Sequence, residues 1–145
     1  MATKSSETPV QYYEAVGRRK VASARVRLSV AADGAAEKSM ILVNSRPIEQ
    51  YFPGEIYKKL YLEPFRTTNT VGRFAVTIMT KGGGLHGQLE AAIHGISRAL
   101  EKVDREKLRP ILKKRGFLKR DPRAKQRRKA GYAGKSRARK QSPKR

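Results

Sequence analysis

Alternating apolar runs in the first half, one long helical stripe after them and a terminal run of cations predict a mixed α and β body followed by a basic tail. Ala22, Ala24, Val26, Leu28 and Val30 alternate with Ser23, Arg25, Arg27 and Ser29. That period of two marks a strand with one wet face. Leu85, Leu89, Ile93, Ile96, Leu100 and Val103 advance by four, four, three, four and three. That spacing lays one apolar stripe along a helix of about five turns. From Lys113 to Arg145 there are 16 Lys or Arg against one acid, Asp121, a net charge of +15. The whole chain carries +22, which leaves +7 for the first 112 residues.

The elements follow in order. Residues 1–11 are polar and expected to be disordered. Tyr12–Val16 reads as a short strand ending at Gly17, and Ala22–Val30 as the next. Asp33-Gly34 signals a turn. Met40–Val43 is a short apolar run, expected to close a hairpin on the preceding strand. Asn44-Ser45 turns the chain again. Ile48–Phe52 fits a short helix broken by Pro53-Gly54. Glu55–Leu62 fits a helix, with Ile56 and Leu60 four apart, stopped by Pro64. Phe74, Val76 and Ile78 alternate through Arg73–Thr80, which predicts another strand. The long helix follows Gly82-Gly83-Gly84. Asp104 can cap a further helix whose Leu108, Ile111 and Leu112 face inward, with Gly116 as its C-terminal cap. After Gly116 no periodicity persists. The predicted organisation is a disordered segment over 1–11, a globular α+β domain over 12–115 and an extended basic tail over 116–145.

Composition excludes several classes of chemistry. There is no Cys, hence no disulfide framework and no thiolate nucleophile or metal site. With only His86 and His94, no metal is expected. No apolar run nears the ~20 residues needed to span a bilayer. Met1–Gln11 lacks the apolar stretch of a signal peptide, so a cytoplasmic protein without membrane contact is expected. No acid is placed to complete a nucleophilic triad, so no catalytic residue and no cofactor are assigned.

The polycationic tail cannot offset the entropy of folding with Phe117, Leu118 and Tyr132 as its main apolar groups. Its natural partner is a nucleic acid, whose condensed counterions Lys and Arg displace. Fully extended, residues 116–145 reach roughly 100 Å. Arg18-Arg19-Lys20 places three cations at the start of a strand, beside Gly17, read as phosphate contacts rather than a merely solvated run. Gly82-Gly83-Gly84-Leu85-His86-Gly87 matches G-x-G-x-x-G between a strand and a helix. A dinucleotide site would need a further parallel strand after that helix, and none is predicted. The loop is either a turn for close helix packing or, beside Lys81, a cradle for an RNA phosphate. His86 and His94 are read as packed or hydrogen-bonded. The alternative class, a general DNA-binding protein, is permitted by charge alone.

Five segments in order carry a resemblance: Gly17-Arg18-Arg19-Lys20, Asn44-Ser45-Arg46-Pro47-Ile48-Glu49-Gln50-Tyr51-Phe52, Lys81-Gly82-Gly83-Gly84, His94-Gly95-Ile96-Ser97-Arg98-Ala99-Leu100, and Gly116-Phe117-Leu118-Lys119-Arg120-Asp121-Pro122-Arg123. Together they resemble the small-subunit ribosomal protein nine family of bacterial type. The resemblance implies an α+β fold, a small sheet packed against helices with a left-handed β-α-β crossover. It implies a structural constituent of the small ribosomal subunit that binds ribosomal RNA in the subunit head, beside neighbouring ribosomal proteins there. Its tail is implied to reach the transfer RNA in the peptidyl site. The expected ribosomal RNA contacts are Arg18, Arg19, Lys20, Lys81, Gly82, Gly83, Gly84, His86, Lys119, Arg120, Arg123, Lys125, Arg127, Arg128, Lys129, Lys135, Arg137, Arg139 and Lys140. The transfer RNA contacts fall to Lys144 and Arg145. The family's usual ending is Gln-Phe-Ser-Lys-Arg, whereas this chain reads Gln141-Ser142-Pro143-Lys144-Arg145. The aromatic is gone and Pro143 has no N–H, while both terminal cations remain.

Overall fold

The computed structural model describes residues 12–30 and 40–131. The strands are β1 (Tyr12–Arg19), β2 (Ala22–Val30), β3 (Ile41–Val43), β4 (Arg46–Pro47) and β5 (Phe74–Lys81). The helices are α1 (Ile48–Tyr51), α2 (Glu55–Thr67), α3 (Leu85–Val103) and α4 (Arg105–Lys114). The described strands form one mixed sheet of five, ordered β1-β2-β5-β3-β4. This is the α+β arrangement of a small sheet packed against helices. The Asp33-Gly34 turn lies outside the described residues.

β2 is the centre of the antiparallel part. Tyr12 to Arg19 pair with Ser29 to Ala22, and Ser23 to Val30 pair with Lys81 to Phe74. The alternation therefore points one way across three strands. Ala24, Val26, Leu28, Val76 and Ile78 are buried on the helix side. Arg25, Arg27, Thr77 and Met79 are exposed on the other.

β3 corrects an expectation. It does not close a hairpin on β2; it runs parallel to β5, Ile41 opposite Val76 and Val43 opposite Ile78. Both edges of β2 are already occupied, by β1 and β5. Three residues of β3 also bury less apolar surface against β2 than the eight of β5, so the longer partner takes that edge. α1 and α2 form the crossover between the parallel strands β3 and β5.

α3 lies directly on β1 and β2 because both surfaces are small at the contact. A Cβ on Gly17 would sit 1.9 Å from the Ala91 carbonyl oxygen, and one on Gly95 would sit 2.7 Å from Val26 Cγ2. Ala24, Ala91, Ala92 and Ala99 complete this close seam. Leu89, Ile96 and Leu100 of the sequence stripe are fully buried, whereas Leu85, in the first turn, is exposed.

The same helix seals the outer edge of the sheet. Lys102 Nζ donates to the Glu14 carbonyl at 2.6 Å, and Arg98 Nη1 to the Val16 carbonyl at 2.5 Å. The Arg18 N–H donates to His94 Nδ1 at 3.3 Å. Every fourth residue of the helix thus serves every second residue of the strand. The match is geometric: four helical residues rise about 6 Å and two strand residues about 6.8 Å. The opposite edge, β4, is two residues long and contains Pro47, a poor template for further pairing.

α2 departs from expectation at its C-terminal end. It runs through Pro64 to Thr67, its buried residues are Tyr61, Pro64 and Phe65, and Ile56 is 74% exposed. Pro64 forfeits one helical hydrogen bond. Its burial beside Phe65 outweighs that loss, and the Thr68 N–H and Oγ1 both donate to the Pro64 carbonyl.

α4 starts where expected, with Asp104 Oδ1 accepting from the Lys107 N–H at 3.1 Å. It ends in a Schellman motif. Gly116 adopts φ +78°, its N–H bonds the Lys113 carbonyl, and the Phe117 N–H bonds the Leu112 carbonyl. Leu112 is fully buried, Leu108 half-buried and Ile111 turned outward.

Candidate nucleic-acid interface

Three segments far apart in sequence meet at one end of the sheet. The first is the turn between β1 and β2. Arg19 pairs with Ala22, so Lys20 and Val21 form the tip, and Lys20 takes a left-handed φ of +52°. The second is the glycine loop. Because Ser23 is opposite Lys81, the residues after Lys81 pass over that tip. A Cβ on Gly82 would lie 2.8 Å from the Val21 oxygen, and one on Gly83 would lie 3.0 Å from Ala22 Cβ. Both glycines have positive φ, +78° and +68°. Gly84 then caps α3 without a side-chain acceptor, so the first N–H groups of α3 have no capping side chain. The third is the root of the tail, Gly116 to Arg123.

Arg19 joins the first and third segments. Its Nε donates to Glu90 Oε2 at 2.5 Å, its Nη1 to the Arg123 carbonyl at 2.7 Å, and its Nη2 lies 3.1 Å from Asp121 Oδ2. Asp121 also takes a forked contact from the Arg123 guanidinium, at 3.0 Å and 2.7 Å to Oδ2, and the Arg123 N–H at 2.9 Å. These Arg123 bonds, with Arg19 beside them, hold the Asp121 carboxyl far below the usual carboxylate range. Glu90 is shared with His86, whose Nδ1 is 3.7 Å from Oε1.

His94 makes a second fastening. It accepts from the Arg18 N–H through Nδ1, so Nε2 carries the proton and faces the Leu118 carbonyl at 3.4 Å. Burial, with Arg98 and Arg120 nearby, pushes the His94 imidazole below its ordinary value, against the raising pull of the Leu118 carbonyl. A neutral ring is what this bridge between strand and tail requires. Phe117 and Leu118 pack against the hydrophobic core.

The predicted contact residues divide accordingly. Arg18 and Lys20 are exposed, whereas Arg19 is 9% exposed and turned inward onto two carboxylates. Lys81, Gly82, Gly83, Gly84 and His86 are exposed around the loop. Lys119 and Arg120 are exposed at the tail root, and Arg123 is engaged by Asp121. Lys125, Arg127, Arg128 and Lys129 are exposed, in a stretch without helix or strand. Lys135, Arg137, Arg139, Lys140, Lys144 and Arg145 lie outside the described residues.

A family model described as Ribosomal protein S9/S16 matches residues 17–145. The chain belongs to that family. It is therefore a ribosomal protein with a structural role in translation, associated with the ribosome, whose partners are ribosomal RNA and other ribosomal proteins. The S9/S16 family is not an enzyme family. The glycine loop fits this assignment better than a dinucleotide site, since α3 leads into α4 and no strand follows it among the described residues.

Behind the glycine loop the fold of this S9/S16 family member joins residues to which composition and spacing gave no site role. Asn44, at φ +47°, donates through Nδ2 to the Thr80 carbonyl at 3.2 Å and Oγ1 at 3.0 Å, and accepts from the Thr80 N–H at 3.0 Å. Tyr51 donates to Gln88 Oε1 at 2.7 Å, and Gln88 Nε2 donates to the Gly82 carbonyl at 3.1 Å. This chain of bonds fixes the glycine loop from behind. Its signals in the sequence are the Asn44-Ser45 turn and the place of Asn44 and Tyr51 in one of the five family-like segments. Charge and periodicity are blind to it.

Proposed function

We propose that this protein is a small-subunit component that anchors on ribosomal RNA of the subunit head through the convergent end of its sheet. The supporting observation is the convergence itself: the β1–β2 tip, the glycine loop and the tail root present Arg18, Lys20, Lys81, His86, Lys119 and Arg120 on one surface. Backbone N–H groups of the glycine loop and the uncapped start of α3 supply directional donors beside point charges, the combination that suits phosphate. Recognition of this kind reads the shape and phosphate positions of folded RNA rather than base sequence. Lys125 to Lys129 extend the charge into the tail. From there the tail, with Lys135, Arg137, Arg139 and Lys140, follows ribosomal RNA toward the peptidyl site. Lys144 and Arg145 contact the anticodon stem-loop of the transfer RNA held there. The site of action is the cytoplasmic ribosome, beside other proteins of the subunit head.

Deleting Lys144 and Arg145 tests the distal part of this reading. Assembly of small subunits should be unchanged, and filter binding should show weaker transfer RNA retention at the peptidyl site. Equal occupancy on truncated and full-length particles would contradict the role given to those two residues.

A further inference from the structure

The face of the sheet turned away from the helices carries a second arrangement. No described residue covers it. Reading across β1, β2 and β5, its rows are Arg18–Ser23–Lys81, Val16–Arg25–Met79, Glu14–Arg27–Thr77 and Tyr12–Ser29–Ala75. It therefore displays four cations, Arg18, Arg25, Arg27 and Lys81, against one acid, Glu14. Two of the arginines rest on soft or aromatic groups. Arg25 Nη2 is 3.4 Å from Met79 Sδ, and the Arg27 guanidinium carbon lies 4.9 Å from the centre of the Tyr12 ring. Glu14 fixes Arg27 further, accepting from Nε at 2.7 Å. Tyr12 and Met79 remain about half exposed, at 50% and 54%.

We propose that this open face is a second RNA-binding surface, on which an unpaired stretch of ribosomal RNA crosses the strands with bases stacked beside Arg25 and Arg27. Charge complementarity names a polyanion. The geometry favours RNA over an acidic protein segment. One guanidinium held over a ring and another fixed by an N–H···S bond offer planes to a base, and a tyrosine at the rim offers a further one. An acidic peptide would call for extended, forked donors, and Arg27 already gives its Nε to Glu14. The Arg18–Lys81 row joins this face to the convergent end, so one RNA can pass from a phosphate-anchored contact to a stacked one. The inference rests on the family's RNA binding and uses residues outside the proposed anchoring surface at its core, Arg25 and Arg27.

The test uses the full-length chain and a small-subunit ribosomal RNA transcript, with affinity measured across a KCl series. Arg25→Gln/Arg27→Gln should bind at least tenfold more weakly at moderate salt. Its salt slope should fall by no more than about 0.7–0.9, the share of one phosphate contact, because Arg27 is already paired with Glu14. Arg25→Lys/Arg27→Lys should keep the slope and still lose affinity, because charge is retained and the stacking plane is not. Unchanged affinity in both variants, with amide protection of the core intact, would overturn the proposal. So would normal RNA binding combined with loss of a neighbouring protein from reconstituted subunits, which would assign the face to a protein. Substitution of Lys20 and Lys119 probes the anchoring surface separately, so the failure of one reading is distinguishable from failure of the other.

Discussion

Lys20 shows how a single residue can favour a surface over the fold. A left-handed φ at a non-glycine residue is unfavourable, and a two-residue tip accommodates glycine with less strain. Lys20→Gly should therefore leave the fold intact or stabilise it by up to about 1 kcal/mol in urea unfolding. The same variant should bind ribosomal RNA more weakly. Destabilisation together with full RNA affinity would show that the lysine serves the turn rather than the ligand. His94 makes the complementary case of a side chain serving the fold. Its folded-state value is depressed, chiefly by burial, from an ordinary value near 6.5. Well above that pH both folded and unfolded chains hold it neutral, and it contributes no pH dependence. As pH falls through about 6.5 the unfolded chain takes up a proton that the folded chain resists, so stability declines until the folded value is reached. Between pH 7.5 and 5.5 the urea midpoint should fall more in the parent chain than in His94→Gln. Parallel behaviour of the two would contradict the buried neutral bridge.

At the scale of elements, α3 combines three tasks on three faces. Its small residues meet the sheet, its first turn receives the glycine loop, and Arg98 and Lys102 occupy the free carbonyls of β1. An edge strand with open carbonyls templates pairing with another chain. Replacing both cations with Met should cost about 1 kcal/mol, given their exposure. It should also raise the concentration-dependent mass seen in sedimentation velocity. A variant that stays as monodisperse as the parent would mean that the edge is protected by other means. The element boundaries were legible in the sequence wherever periodicity was long and caps were local. The strand from Ala22 to Val30, the strand near Phe74, the stripe of α3, the Asp104 cap and the Gly116 terminus all follow from neighbours within a few residues. What was not legible depended on distant partners. β3 reads as a strand from its own residues, but its place beside β5 is decided by competition for the edge of β2. Pro64 reads as a stop, and only the burial of Pro64 and Phe65 keeps α2 going. Arg19 reads as one of three equivalent cations, and only Glu90 and Asp121, 71 and 102 positions away, turn it inward.

Across the whole molecule, the sheet gathers cations that the sequence scatters. Charge alone announced a polyanion-binding chain, but not which cations share a surface. The hairpin brings Lys20 to one end, the β2–β5 register brings Lys81 beside it, and the Arg19–Asp121 contact brings Lys119 and Arg120 there from the tail. Fastened by Arg19 and His94, the tail root leaves the body at a defined point adjoining the proposed anchoring surface. The decisive measurement is the salt dependence of affinity for small-subunit ribosomal RNA, comparing the parent chain with Lys20, Lys81, Lys119 and Arg120 all changed to Gln. The slope of log affinity against log KCl should fall by about 3, at roughly 0.7–0.9 per phosphate contact, with the core still protected from exchange. A folded variant whose slope equals that of the parent would contradict the account.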